Sequence, residues 1–420
     1  MAAANGVLFC GGGTGGHVLP GLAVATALRA HGVTGLRWIG DPERLEARLV
    51  PAAGIPLLPL GLSRPRLTSP RWILHALRTA VGCWRELHRN PPSAVVALGG
   101  YASLIPGLLA PLCGRPLIVM EQNARAGRTN RLLGLFAARI ITQFDEAAER
   151  LPAARVRRLG NPVRAIERLP RGMQPSFTVL AVGGSLAAKS LNDLVALAAK
   201  QLRGIAGLKL IHIAGEQDRS RIASIYADAG LDAEVLGFVD DMPALYRRID
   251  LAVTRAGATT VAELCAGGIG ALYIPLPWAA DDHQTANARS VADAGGAVLM
   301  PQATTRPEDV VAELARFAAD RPALARLGAA AAGLARPQAA DQAARLVLAL
   351  ARRRSTTAER RSASRRRFRA SLQPPASSPY DHHALPRPPC APPRHRRGRR
   401  LGAGAPAATG RRVGQRLRCQ

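Results

Sequence analysis

Cysteine is scarce and scattered. The six residues, Cys10, Cys83, Cys113, Cys265, Cys390 and Cys419, form no C-x-x-C pair and have no histidine at metal-ligand spacing. That excludes a disulfide framework, argues against a zinc site and fits a reducing compartment. Acidic side chains are also few, 29 against 57 Lys and Arg in 420 residues, for a net charge of +28. The excess is concentrated: Arg352 to Gln420 carries 19 arginines against Glu359 and Asp381, a net of +17, which leaves +11 for residues 1–351. The imbalance is therefore mainly a property of the end of the chain, and a nucleic-acid partner is not expected. The N-terminus lacks a basic segment before its apolar run, which breaks into glycines, so no signal peptide is expected. Only Pro91 to Gly114 is uncharged over a length that could cross a bilayer. The residues Gly99, Gly100, Pro106, Gly107 and Pro111 inside it favour a strand, a glycine turn and a short covered helix instead.

What is present is an α/β pattern written twice. "VLFC" precedes a helix expected from about Pro20 to Ala30. "LRWIG", a helix from Pro42, "VVALGG", a further helix, "PLIVMEQN" and "RIITQ" follow. Strands separated by helices of this length imply right-handed βαβ units and a parallel sheet covered on both faces. After "LGNPVR" and a polar stretch to about Ser176 the pattern restarts with "FTVLAVGGS", "KLIHIAG", "AEVLGFV", "IDLAVTRAG" and "GALYIPLP". The expected organisation is a first Rossmann-like domain over 1–160, a linker over 161–176 and a second such domain over 177–351, its last helices drawn from Pro307 to Ala351. Residues 352–420, rich in Arg, Pro and Ser and without periodicity, are expected to be disordered. Ligands of such a pair of domains belong beyond the carboxyl ends of the strands, in the cleft between the halves.

Three glycine clusters sit where a strand ends and a helix begins: "GGGTGGH" at Gly11, "GGYAS" at Gly99 and "GGS" at Gly183. Glycine lets backbone N–H groups approach an anion, and a helix N-terminus adds its positive dipole end, so three such loops suggest more than one phosphate. The plainer reading is that tight βα turns need glycine. Gly11, Gly13 and Gly16 satisfy the G-x-G-x-x-G spacing of dinucleotide enzymes, with Asp41 as the acidic residue for a ribose. His17 directly after the last glycine, with Pro20 close behind, departs from that pattern and presents a titratable ring to the cleft.

"TRAGATTVAEL" contains Thr260 and Glu263 at capping-box spacing, so Glu263 reads either as a cap or as an acceptor for ribose hydroxyls. In "PLPWAADDHQTANA" the pair Asp281 and Asp282 reads as an acidic first turn rather than as metal ligands, and Gln284 can both donate to and accept from sugar hydroxyls. Finally, Trp72, Ile73, Leu74, Leu77, Val81 and Trp84 recur at helical spacing among Arg66, Arg71, Arg78, Arg85 and Arg89. Such a stripe packs on a sheet by default, and two tryptophans among arginines equally suit an anionic membrane surface.

Taken in order, "GGGTGGHVLPGLAVA", "GGYAS", "EQNARAGRTN", "GNPVR", "VGGS", "GFVDDMPALYRRIDLAVTRAGATTVAEL" and "DDHQTANA" resemble the MurG family of peptidoglycan synthesis from about residue 5 to 350. The resemblance implies a GT-B fold, with two Rossmann-like domains facing a central cleft, and an inverting transfer of N-acetylglucosamine (GlcNAc) from UDP-GlcNAc to the C4 hydroxyl of an undecaprenyl-diphospho-MurNAc-pentapeptide (lipid I). No cofactor or metal is implied. It further implies donor contacts from Arg164, Ser185, Val239, Ala258, Thr259, Thr260, Val261, Ala262, Glu263 and Gln284. Thr14, Gly15, Gly16 and Asn123 are implied to reach the donor from the first domain, and Tyr101 and Glu121 to line the acceptor cleft. It implies work at the cytoplasmic face of the membrane. His17 is the expected base, because an imidazole titrating near neutrality suits removal of the hydroxyl proton; the alternative role is to orient a phosphate. Met120, Leu186, Ala187 and Gly270 depart from the family pattern. The competing expectations are a UDP-GlcNAc 2-epimerase, a dehydrogenase that binds NAD, and a non-catalytic protein that uses its basic tail.

Overall fold

The computed structural model describes residues 6–62, 69–163, 166, 176–184, 188–278 and 280–353. The expected disorder of the tail falls on 354–420 and lies outside them, as do Arg64, Arg66, Arg164, Ser185, Leu186 and Ala187.

The apolar runs of the first half become strands β1 (Val7–Cys10), β2 (Leu36–Ile39), β3 (Leu57–Leu58), β4 (Ala94–Ala97), β5 (Leu117–Glu121), β6 (Arg139–Thr142) and β7 (Val156–Arg158). They form one parallel sheet in the order β3-β2-β1-β4-β5-β6-β7. Every residue of β1, β4 and β5 is buried, as expected where helices cover both faces. The second half repeats the plan with β8 (Phe177–Val182), β9 (Leu208–Ile213), β10 (Ala233–Leu236), β11 (Leu251–Thr254), β12 (Gly270–Tyr273) and β13 (Ala297–Leu299), in the order β10-β9-β8-β11-β12-β13. Strand order reverses between β1 and β4 in one sheet and between β8 and β11 in the other. The crevices at these switch points are where the glycine clusters end their strands. The short β3, β7 and β13 escaped the sequence reading because two or three residues carry no periodicity.

Pro91 to Gly114 folds as β4, a 3₁₀ turn (Tyr101–Ser103) and the Leu104–Leu112 helix. Among the described residues no helix is long and apolar enough to cross a membrane.

The region from Pro307 divides its allegiance. The Pro307–Ala319 and Arg321–Gly333 helices bring Val310, Leu314, Phe317, Leu324 and Leu327 to the core of the second sheet. The helix over 339–353 instead buries Ala343, Ala344, Val347 and Ala351 with Val7, Phe9, Val24 and Leu28 of the first core. His31 Nε2 lies 2.7 Å from Asp341 Oδ1 and pins it there. An apolar face repeating every fourth residue suits either core, so its destination was not readable from spacing.

Candidate active site

The first helix begins at Gly15 and runs to Ala30, five residues earlier than Pro20 suggested. Gly15, Gly16 and His17 thus form its first turn, and the glycine loop proper is Gly11 to Gly13. Thr14 is the extended N-cap residue, and its hydroxyl makes no capping bond. Its Oγ1 lies 3.0 Å from His17 Nδ1 instead. Pro20, inside the helix, has no N–H for the carbonyl four residues back, so Gly16 O has no helical partner from it. Thr259 Oγ1 of the second half sits 3.5 Å from that carbonyl.

His17 packs against the second glycine cluster. A Cβ on Gly99 would lie 2.9 Å from His17 Cδ2 and 3.0 Å from Nε2, and Gly99 has φ +100°. Only glycine permits this approach of backbone to ring. Burial, and then the imidazole of His283, push His17 down to about 4. The expected titration near neutrality is therefore corrected: in the free protein the ring is neutral at pH 7, because its surroundings solvate a cation poorly.

The dinucleotide-like loop does not offer its amides freely. The fully buried Glu46 accepts from Gly13 N–H through Oε2 (2.7 Å) and from Asp41 N–H through Oε1 (3.0 Å). A Cβ on Gly12 would land on that carboxyl group. An internal carboxylate thus stands where the fingerprint would seat a phosphate. Asp41 Oδ1, expected for a ribose, accepts from Glu43 N–H at 2.9 Å and shapes a turn.

Glu121 also departs from its expected place. It is 3% exposed and presents no carboxylate to an acceptor cleft. Its oxygens accept from the N–H groups of Asn123 (3.0 Å) and Gly127 (3.0 Å) and from Asn130 Nδ2 (2.9 Å). Burial raises its pKa against these bonds. Tyr101, by contrast, is 42% exposed on the turn after β4.

In the second half, the Ala258–Ala266 helix starts after Gly257, with no side-chain cap among the described residues. The capping-box expectation is corrected: Thr260 is the third helical residue, and Glu263 Oε2 accepts from Tyr246 Oη at 3.1 Å. First-turn N–H groups have no partner within a helix. Ala258, Thr259 and Thr260 therefore turn theirs toward the loop side, Val261 is buried, and Ala262 and Glu263 are half-buried. Val239 is half-buried and, like Met242, packs on the core that includes Ala252 of β11. Gln284 Oε1 accepts from Leu276 N–H at 3.0 Å, so one of its two capacities is already engaged.

Asp281 and Asp282 stand at the start of the His283–Asp293 helix, as expected, with Asp282 as its N-cap residue. Both have φ +52°, and Asp282 makes no capping bond. They also face the first half: Arg128 lies 3.9 Å from Asp281 Oδ1, Arg125 lies 4.0 Å from Asp282 Oδ2, and Arg125 Nη1 donates to Asp281 O at 3.3 Å.

Sequence reading missed Arg255, Asn287 and Glu46. Arg255, buried after β11, donates to Ile274 O (2.7 Å) and Ser190 Oγ (2.6 Å), and burial lowers it to about 10. Its one signal was an arginine ending an apolar strand. Asn287 accepts from Ala124 N–H (2.7 Å) and donates to Asn123 Oδ1 (3.1 Å) and Ala256 O (3.0 Å), so it joins the two halves.

The arginine-rich Pro70–Arg89 helix turns its stripe outward. Ile73, Leu74, Leu77 (59%), Val81 and Trp84 (45%) are exposed, and Thr79, Cys83 and Leu87 form the buried face. Leu112, at the end of the Leu104–Leu112 helix, and Leu135 and Phe136, in the turn after the Arg128–Gly134 helix, are exposed as well.

The N-terminal domain of glycosyltransferase family 28 matches residues 7–142, and its C-terminal domain matches 178–343. The UDP-N-acetylglucosamine--N-acetylmuramyl-(pentapeptide) pyrophosphoryl-undecaprenol N-acetylglucosamine transferase of Alkalilimnicola ehrlichii is 44% identical over 360 residues, 82% of this chain and 99% of that protein. The crystal structure of Acinetobacter baumannii MurG superposes with a TM-score of 0.69 at 35% identity, covering 82% of this chain and 99% of that one. The chain belongs to the MurG family. A putative UDP-N-acetylglucosamine 2-epimerase from Listeria monocytogenes, 14% identical with a TM-score of 0.61 over 81% of this chain and 94% of its own, shares the fold with this MurG-family chain.

Proposed function

We propose that this MurG-family protein is the inverting transferase that moves GlcNAc from UDP-GlcNAc to the C4 hydroxyl of lipid I. The observation that carries the chemistry is the meeting of two helix starts across the cleft, Thr14 to His17 on one side and Gly257 to Thr260 on the other, with Thr259 Oγ1 3.5 Å from Gly16 O. Both dipoles present their positive ends, which suits a diphosphate leaving group that gains charge as the glycosidic bond breaks.

The donor site we assign takes Thr14, Gly15, Gly16 and Asn123 from the first half. From the second it takes Val239, the turn from Ala258 to Glu263, and Gln284, together with Arg164 and Ser185. Tyr101 borders the acceptor. His17 acts as base in the tautomer whose Nδ1–H donates a hydrogen bond to Thr14 Oγ1, which leaves the Nε2 lone pair for the hydroxyl proton. The C4 oxygen then attacks the anomeric carbon from the face opposite UDP, so the configuration inverts. A pKa of about 4 makes a weak base in the free protein. The negative diphosphate entering beside the ring favours the imidazolium and raises that value when the donor is bound.

The exposed stripe of the Pro70–Arg89 helix, with Arg71, Arg78, Arg85 and Arg89, is the face we assign to an anionic membrane surface, where the lipid acceptor resides.

Incubation with labelled UDP-GlcNAc and a lipid I analogue tests the reading. Wild-type protein releases UDP and forms the disaccharide, and His17→Ala lowers kcat on the order of 10²–10⁴-fold. Absence of transfer by folded wild-type protein refutes the function, and full activity of the variant removes His17 as base.

A further inference from the structure

Asn123 is held from two directions. Its Nδ2 donates to Glu121 Oε1 at 3.3 Å, within the first half. Its Oδ1 accepts from Asn287 Nδ2 at 3.1 Å, from the second half. Asn287 is fully buried and both its N–H groups are used: the other Nδ2 hydrogen goes to Ala256 O at 3.0 Å, and Oδ1 takes Ala124 N–H at 2.7 Å. Glu121 is itself fixed by Gly127 N–H and Asn130 Nδ2. The result is a directed chain, Ala256 O to Asn287 to Asn123 to Glu121, that spans both halves. Each link has a defined donor and acceptor, so none of these amides can rotate by half a turn without setting donor against donor.

An amide has two N–H groups and one carbonyl oxygen. With one N–H on Glu121 and the oxygen engaged by Asn287, Asn123 has one N–H left, and its direction is set by the other two bonds. We infer that Asn287 is a positioning residue: it fixes the orientation of the Asn123 amide and makes that orientation depend on the two halves being together. Asn123 then offers the donor sugar an N–H aimed in one direction only when the cleft is assembled. The inference rests on Asn123 being a donor-site residue, as proposed above.

A double-mutant cycle tests it. Asn123→Ala and Asn287→Ser are each expected to raise KM for UDP-GlcNAc on the order of tenfold, with kcat and the acceptor KM little changed, since one hydrogen bond to bound donor is at stake. If Asn287 acts through Asn123, the double variant is no worse than the worse single variant. Effects that multiply to roughly a hundredfold, or an Asn287→Ser protein that loses only thermal stability at unchanged KM, overturn the inference. Glu121→Gln approaches the same amide from the other side and keeps the test available if Asn287→Ser does not fold. It is expected to raise the donor KM in wild-type background and to add nothing to Asn123→Ala; an added effect there also counts against the clasp. Amide hydrogen exchange supplies a readout apart from activity: Asn287→Ser should speed exchange at Ala124, and unchanged protection there refutes the bond. Turnover by wild-type protein reports the proposed function itself, so failure of that reading and failure of the clasp are told apart.

Discussion

His17 and Glu46 show what a single residue's surroundings decide. Both flank the same loop: burial keeps the imidazole neutral, and the Glu46 oxygens accept from the N–H groups of Gly13 and Asp41. Because kcat/KM reports free protein and kcat the loaded one, the acid limb of kcat/KM for UDP-GlcNAc should fall well below pH 6.5, toward 4, and that of kcat should lie higher. His283→Ala removes the like-charge neighbour, so the kcat/KM limb should move upward; an unmoved limb would exclude His17 as its source. At Glu46, Gln replaces one acceptor oxygen by an NH₂ that faces an N–H. Glu46→Gln should destabilise by about 1–3 kcal/mol in denaturant unfolding. A neutral outcome would mean that the loop does not depend on the carboxylate. His17 was legible because a histidine is out of place in a dinucleotide loop. Glu46 was not, since its partner Gly13 is 33 positions away and nothing local marks the contact.

At the scale of elements, strand cores were readable and helix ends were not. Continuous apolar runs predicted β1, β4, β5, β8, β11 and β12, because a strand covered on both faces tolerates little else. The first helix start was misplaced since Pro20 reads as a beginning, whereas its missing N–H is accommodated inside the helix. The capping-box spacing of Thr260 and Glu263 was fortuitous, for Gly257 occupies the cap and Tyr246 claims the glutamate. A buried junction of β9 with two helices carries a testable consequence. His212 Nδ1 lies 2.6 Å from Tyr226 Oη, and its Nε2 lies 3.0 Å from Asn192 Oδ1. Burial pushes His212 down to about 4 from 6.5. Between those values the unfolded chain binds a proton that the folded one does not, so stability is complete above pH 6.5 and falls as pH drops toward 4. The loss at pH 4 should be about 3 kcal/mol from this group, with His17 acting in the same direction. Urea unfolding of His212→Gln at pH 7 and pH 4.5 should show a shallower fall than wild type, and an identical slope would assign the acid lability elsewhere.

For the molecule as a whole, an anionic membrane surface has two candidate sources of attraction that salt separates. Attraction through the +17 of Arg352 to Gln420 would be electrostatic and screened by salt, whereas binding through the exposed stripe from Ile73 to Trp84, as proposed above, would rest on burial of apolar area. In sedimentation with anionic vesicles, Leu77→Glu with Trp84→Glu should reduce binding at least severalfold, and the deficit should persist near 0.5 M salt, where any attraction from the tail's charge is largely screened. Equal binding of variant and wild type at that salt would exclude the stripe as the membrane face. The stripe's spacing was plain in the sequence, but which way it faces depended on Thr79, Cys83 and Leu87, small or single apolar residues that form the packed side.

The sequence alone determined the α/β class, the doubled βαβ plan, the glycine turns at the strand ends and the family, because these follow from local periodicity and from motifs whose members lie close together in the chain. Tertiary structure alone decided that Glu46 fills the first glycine loop, that Asn287 ties Asn123 to the second half, that the 339–353 helix returns to the first core and that the stripe from Ile73 to Trp84 faces outward while Trp72 is half-buried. Each depends on contacts between residues remote in the chain, or on which of two similar faces finds a partner, and those are settled by packing and desolvation once the whole chain is folded.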